Sequence, residues 1–69
     1  MITEERKVRI MELIRKNGFV SVRELMDLFA VSRSSVMRDL EELDRQGFIY
    51  RKRGGASLKE DFGKIVNYK

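Results

Sequence analysis

The chain has 69 residues, which limits it to one domain with a small hydrophobic core. It contains neither Cys nor His, so we expect no disulfide, no metal or cofactor site and no enzyme activity. The formal net charge of +4 favours polyanionic partners. Because no apolar stretch is long enough for a bilayer span or a signal peptide, we expect a cytoplasmic protein without membrane contact.

The first predicted helix begins near Thr3. Ile10, Leu13 and Ile14 share one face of this helix, and Gly18 ends it. The extended pair at residues 19–20 is too short to stand alone, so it must pair with a later strand.

A second helix of roughly two turns follows. Ser21 and Glu24 have the spacing of a capping box, and the apolar positions of residues 25–29 continue the helix. A tight connection then leads to Ser32. Glycine often occupies the place of Ala30 in such turns; since a left-handed Ala costs roughly 1 kcal/mol, we expect a different turn geometry there.

The third predicted helix runs from Ser32 to about Arg45. Ser32 is a suitable N-cap, Val36, Leu40 and Leu43 form one apolar stripe, and Gly47 supplies the stop. Its polar face is divided, because cationic and small residues lie at the front and acidic residues at the rear. Such a helix can place its front in a DNA major groove, although an ordinary amphipathic helix with a solvated face is the alternative.

Aromatic and β-branched residues at 48–50 predict a strand, Gly54-Gly55 predicts a hairpin turn, and residues 56–58 return. The predicted fold class is therefore α+β, mostly α: a winged helix-turn-helix of three helices plus a small antiparallel β-hairpin wing in residues 1–57. Residues 58–69 are interpreted as a linker or the start of a C-terminal effector domain. The predicted core is Ile10, Leu13, Ile14, Val20, Leu25, Phe29, Val31, Val36, Leu40, Leu43, Phe48 and Ile49.

The candidate DNA contacts lie on the front of the third helix, on the wing and at the start of the second helix. Arg33 and Ser34 are assigned to base edges or adjacent phosphate, and Ser35 and Arg38 to phosphate. Ser35 as a second cap, and Arg38 paired with Glu42, are the alternatives. The complete candidate set is Ser21, Arg23, Ser32, Arg33, Ser34, Ser35, Met37, Arg38, Arg51, Lys52, Arg53 and Gly54.

On the wing, strand alternation would place Arg51 and Arg53 on one face, toward the DNA backbone or minor groove. Protection of an exposed strand edge by cations is the alternative. At the second helix, Ser21 and Arg23 would hold a phosphate at the free amides, with simple capping as the alternative. Asp39 is expected to point away from DNA and to orient a nearby Arg.

The chain contains, in order, R-K-V-R-I-M-E-L-I-R-K-N-G-F-V-S-V-R-E-L, F-A-V-S, S-V-M-R-D-L-E-E-L, Q-G-F-I and R-G-G-A. Over about residues 4–57 this set resembles the N-terminal domain of DeoR-type bacterial transcriptional repressors. The resemblance implies a winged helix that binds double-stranded DNA, in a repressor of sugar-metabolism genes. It also implies a larger C-terminal domain, absent here, that binds a sugar-phosphate effector and forms homo-oligomers.

Two positions depart from the family pattern. Met37 stands where the family often has the first of two arginines, so one DNA contact is reduced to an apolar touch, for instance on a thymine methyl group. Arg53 stands where the family often has His, which keeps the wing positive and removes pH sensitivity there.

Two other binding functions compete with duplex DNA. A protein-interaction winged helix would use Met26, Met37, Tyr50 and Phe62 as an exposed contact surface. RNA binding is the weaker alternative, because we expect no stacking aromatics on an open sheet.

Overall fold

The computed structural model describes residues 3–59 and confirms the predicted winged helix-turn-helix class. None of the helices in this range is both long and apolar enough to cross a membrane. The elements in chain order are α1 (Thr3–Asn17), β1 (Phe19–Ser21), α2 (Val22–Phe29), α3 (Arg33–Arg45), β2 (Ile49–Lys52) and β3 (Gly55–Leu58). β3 therefore extends one residue beyond the predicted domain end at residue 57.

The helix boundaries follow from local capping. Ser21 Oγ accepts a hydrogen bond from Glu24 N–H at 3.0 Å, and Ser21 N–H donates to Glu24 Oε1 at 3.3 Å, which confirms the capping box. α3 ends in a Schellman motif, in which Phe48 N–H donates to the Leu43 carbonyl at 3.1 Å. Gly47 permits this motif through its φ of +87°, as predicted.

The prediction for Ala30 was wrong. Ala30 adopts the left-handed conformation, with φ 55° and ψ 47°. The neighbouring Val31 N–H donates to the Met26 carbonyl at 3.2 Å, which closes the same type of helix end that glycine normally supplies. Both Met26 and Val31 pack against the core, so tertiary contacts offset the conformational cost of a left-handed Ala.

The three strands form one antiparallel sheet in the order β1-β3-β2, which confirms the predicted pairing of residues 19–20 with a later strand. Val20 pairs with Ala56, and Lys52 pairs with Gly55. The hairpin loop is therefore Arg53-Gly54 rather than Gly54-Gly55, and Gly54 has a φ of +77°. Gly55 is already in the sheet, where it pairs with Ser21 and Lys52. Its close approach to β1 leaves no room for a side chain.

The core lies between the three helices and the inner face of the sheet. Most of the predicted core is buried, while Leu13, Phe29, Val31 and Phe48 are partly buried and pack against it. Three apolar residues that we did not predict are also buried: Met11, Val22 and Ala56. The sequence pattern missed one polar core residue, Asp39, whose side chain is 2% exposed.

Two expectations about the surface were wrong. Phe19 and Tyr50 are 44% and 41% exposed, and both pair with Ser57, so the outer face of the sheet does carry aromatic rings. Met26 and Met37 are only partly exposed and pack against the core, because each lies beside the apolar stripe of its helix. Tyr50, assigned to the same contact surface, is exposed as expected, and Phe62, the fourth residue of that surface, lies outside the described residues.

The two adjacent glycines of the hairpin predict different effects of substitution. A Cβ atom at Gly55 would lie 2.1 Å from the Val20 carbonyl oxygen and 2.9 Å from Ser21 Cα, so Gly55→Ala must push β3 away from β1. We expect the free energy of unfolding to fall by about 3 kcal/mol. At Gly54 the space is open and only the positive φ opposes Ala, at a cost of about 1 kcal/mol. Chemical denaturation followed by circular dichroism measures both, and an equal or smaller loss for Gly55→Ala contradicts the close approach.

Candidate nucleic-acid interface

The front of α3 is exposed and positively charged. Ser32 caps the helix by accepting a hydrogen bond from Ser35 N–H at 3.3 Å, and Ser32 Oγ also lies 3.3 Å from Ser35 Oγ. Within residues 3–59, the side chains of Arg33, Ser34 and Arg38 are exposed and make no hydrogen bond or ion pair. The front of α3 therefore offers two guanidinium groups and a hydroxyl group that are free to bind another molecule.

The rear of α3 is acidic but largely paired. Glu42 accepts hydrogen bonds from Arg45 at 3.1 Å and from Gln46 at 3.2 Å. The alternative pairing of Arg38 with Glu42 is therefore not formed. Asp44 lies 3.6 Å from the Arg51 guanidinium on β2. These pairs reduce the repulsion that the rear of the helix would exert on a nearby polyanion.

A groove of about 210 Å³ separates α3 from the hairpin of β2 and β3. Arg33 and Met37 line it from α3, and Lys52 and Gly54 line it from the hairpin. Arg51 also lines it, so the fold brings α3 and the wing, which are distant in sequence, to one concave surface. The other lining residues are Val22, Leu40 and Gly55.

The prediction that Arg51 and Arg53 lie on one face of the wing strand was wrong. β2 ends at Lys52, so Arg53 lies in the loop and strand alternation does not extend to it. Arg51 is on the same side of the sheet as Ala56 and is held by Asp44. Lys52 and Arg53 are the exposed cations of the wing without an ion-pair partner in the described part of the chain.

The start of α2 is already capped by protein groups. Ser21 and Glu24 bond to each other in the capping box, so a carboxylate occupies the position where a phosphate would bind. Arg23, by contrast, is exposed. Val22 N–H donates to the Gly54 carbonyl at 2.8 Å, which ties the wing tip to the first turn of α2. Arg23 therefore lies one residue along α2 from the contact with the wing tip.

A buried ion pair fixes α3 against α1. The Asp39 carboxylate accepts two hydrogen bonds from Arg6, one from Nε and one from Nη2, the latter at 3.2 Å. The two side chains are 11% and 2% exposed. This hydrogen bonding raises the pKa of Arg6 above its ordinary value, because it stabilises the charged form of the guanidinium. The expectation that Asp39 orients an Arg is confirmed, but the partner is on α1.

The sequence contained a signal for this pair. Asp39 lies three residues after Val36 and four before Leu43, which places it on the apolar stripe of α3. Arg6 lies four residues before Ile10, on the apolar side of α1. Since a buried charge must be paired, an acid on one core stripe and a base on another predict each other.

Among residues 3–59 no group of three or more acidic residues is arranged to hold a metal ion.

Comparisons with known proteins agree on one family. The model of the DeoR-like helix-turn-helix domain matches residues 6–62. The glycerol-3-phosphate regulon repressor of Escherichia coli is 47% identical over 49 residues, covering 71% of this chain and 19% of that protein. The transcriptional repressor GlcR of Bacillus subtilis is 37% identical over 68 residues, covering 99% of this chain and 26% of that protein. The regulator GlpR of Haloferax volcanii is 38% identical over 68 residues, with 99% and 27% coverage.

The chain thus spans about a fifth to a quarter of the length of the curated relatives it matches. No solved structure matches it.

The buried pair predicts unequal effects of single and double substitutions. Asp39→Ala leaves the Arg6 guanidinium buried without a partner, so we expect the free energy of unfolding to fall by about 3 kcal/mol or more. The double variant Arg6→Met with Asp39→Leu removes both charges and recovers most of this loss. As a control, Arg45→Ala breaks only an exposed pair, at less than about 1 kcal/mol. Thermal and urea denaturation measure all three, and a double variant that is no more stable than Asp39→Ala contradicts the pairing.

Proposed function

The chain belongs to the DeoR-like helix-turn-helix domain family, and we propose that it is the sequence-specific, duplex-DNA-binding part of a transcriptional repressor of sugar-metabolism genes. The observation that carries the proposal is the groove between α3 and the wing, because free cationic side chains border it on both sides. Relatives named as repressors, one of them of a glycerol-3-phosphate regulon, support the regulatory role.

In the proposed complex, the first two turns of α3 enter the major groove. Arg33 reads base edges, since its planar fork matches the O6 and N7 acceptors of guanine, and Ser34 supplies an adaptable donor or acceptor. Arg38, one turn further along, binds phosphate together with Ser35 and the capped end at Ser32. Met37, half-buried in the groove, adds apolar contact with a thymine methyl group.

The wing and the start of α2 bind the DNA backbone beside this site. Lys52 and Arg53 extend from the hairpin, and Gly54 lets the loop approach the phosphates closely. Arg51 contributes its charge from the lining of the groove while it remains near Asp44. Arg23 adds a cation, whereas the occupied capping box favours a structural role for Ser21.

Other properties of the intact regulator follow from the family. We propose that it is a homo-oligomer, and that its sugar-phosphate effector binds a domain outside this chain. The domain itself would act in the cytoplasm, without a cofactor and without enzyme activity. Since two copies of a helix-turn-helix domain read half-sites about one DNA turn apart, oligomerisation would supply specificity that one copy lacks.

The proposed contacts on α3 predict a loss of sequence discrimination. Arg33→Ala and Arg38→Ala should each weaken binding to a selected duplex by roughly 10-fold, and Arg33→Ala should also reduce the preference for that duplex over a scrambled one. Arg15→Ala is the matched control, because it removes the same charge from an exposed position of α1 that makes no ion pair in residues 3–59 and does not line the groove, so it should change neither quantity appreciably. Sites selected from a random DNA pool provide the duplex, and fluorescence anisotropy measures the affinities. Unchanged preference in both Arg33 and Arg38 variants excludes α3 as the reading element.

The wing predicts a change in salt dependence instead. If about four phosphates are contacted, raising salt from 50 to 200 mM should weaken binding roughly 100-fold. Removing Lys52 or Arg53 should lower the slope of log affinity against log salt by about one, and weaken selected and scrambled duplexes equally. Removal of Lys52 or Arg53 would leave the affinity of the chain for duplex DNA unchanged if its partner were instead a protein held by apolar contact, or single-stranded nucleic acid stacked on Phe19 and Tyr50. That result would contradict the proposed role of the wing.

A further inference from the structure

The exposed face of α1 carries a charge pattern that the DNA-binding proposal does not use. Glu5, Arg9, Glu12 and Lys16 are all exposed and lie four, three and four residues apart, which forms one stripe along the helix. This stripe is on the opposite side of α1 from the buried Ile10 and Ile14. It runs for about 16 Å at 1.5 Å per residue.

The stripe is complementary to itself when reversed. If two copies of α1 run antiparallel about a two-fold axis level with the midpoint of residues 10 and 11, Glu5 faces Lys16 of the second copy and Arg9 faces its Glu12. The same contacts recur on the other side of the axis, as an isologous interface requires. All four facing positions then carry opposite charges. The helix dipole accounts for an acid near the start and a base near the end, but not for the inner pair of Arg9 and Glu12.

Within residues 3–59, no side chain of the stripe makes a hydrogen bond or an ion pair. The ion pairs of α1 join Arg6 to Asp39 and Lys7 to Glu4, the latter at 3.6 Å, and none of these residues belongs to the stripe. Apolar side chains border the stripe on both sides. Val8 on one side and Leu28 of α2 on the other are each 58% exposed. Leu28 shares a groove with Arg9, Glu12 and Lys16, so the charged stripe and the apolar surface are continuous.

We propose that this face of α1 pairs antiparallel with the same face of a second copy of the chain. The proposal goes beyond the function above, which assigns no surface of this chain to oligomerisation. An interface of one 15-residue helix on each side is below the roughly 1,200 Å² of stable complexes, so the pairing is weak on its own. It acts when two copies are already brought close, for example on neighbouring half-sites.

Charge reversal tests the pairing with two single variants. Arg9→Glu places acidic side chains against Glu12 of the second copy, and Glu12→Arg places basic side chains against Arg9. Each variant alone should self-associate at least about tenfold more weakly than the unaltered chain. An equimolar mixture of the two should associate as well as the unaltered chain, because R9E faces E12R with opposite charges. The double variant R9E/E12R should also recover association.

The measurement is sedimentation equilibrium of the 69-residue chain, without DNA, at about millimolar concentration and an ionic strength of about 0.01 M, where the Debye length is about 30 Å. Arg38→Glu and Glu41→Arg are the matched controls, because they make the same charge changes on exposed positions of α3. Both should associate like the unaltered chain. The recovery in R9E/E12R cannot come from a more stable helix, since the swap creates like-charge neighbours four residues apart along α1.

Complementation of R9E by E12R, with unchanged controls, supports the interface. A mixture that associates no better than its components, controls that change as much as the stripe variants, or an unaltered chain that stays monomeric under these conditions each overturns it. DNA binding by isolated copies is unaffected by any of these results, so the interface and the proposed function fail independently.

Discussion

The structure depends on the buried ion pair between Arg6 and Asp39. A carboxylate that is 2% exposed is tolerated only with a partner, and the guanidinium of α1 meets it with two hydrogen bonds. The pair therefore fixes the rotation of α3 about its own axis. Asp39 and Leu40 both point to the core, and Arg38 lies about 100° from Asp39 on the side away from Leu40, so it points outward. A buried contact on one side of α3 thus determines which side chains its surface presents.

The wing is held by a second group of contacts. Val22 N–H bonds to the Gly54 carbonyl at the tip, Arg51 lies against Asp44 at the base, and β3 fits between β1 and β2 at Gly55. Because these contacts connect the hairpin to both α2 and α3, the groove has fixed walls. A preformed concave surface loses little conformational freedom on binding, which favours affinity from a small number of cationic contacts.

Local sequence signals predicted most of the fold, whereas contacts between residues distant in sequence were missed. Capping residues and apolar stripes act within a few positions, so the ends of α2 and α3 and most of the core could be predicted from the sequence. The pair of Arg6 and Asp39 joins residues 33 positions apart. Each helix pattern alone shows only one charged residue on an apolar stripe, and the contact is predicted only when the two stripes are compared. The left-handed Ala30 was missed for a related reason, since packing of Met26 and Val31 offsets a cost that the local preference would avoid. On the wing, the hairpin loop begins one residue earlier than predicted, so Arg53 lies in the loop. Arg51 and Arg53 therefore do not alternate along one strand. The candidate DNA contacts themselves stay a prediction, for which the structure supplies the exposure of the side chains and the lining of the groove.

DNA binding by α3 and the wing can be tested by titrating the isotope-labelled chain with a selected duplex and following the amide chemical shifts. We expect the shifts to concentrate at residues 33–38 on α3 and at 52–54 on the wing. Amides on the exposed face of α1 and at the rear of α3 should change little. Shifts centred on Phe19 and Tyr50, or on α1, with residues 33–38 unaffected, would contradict this expectation.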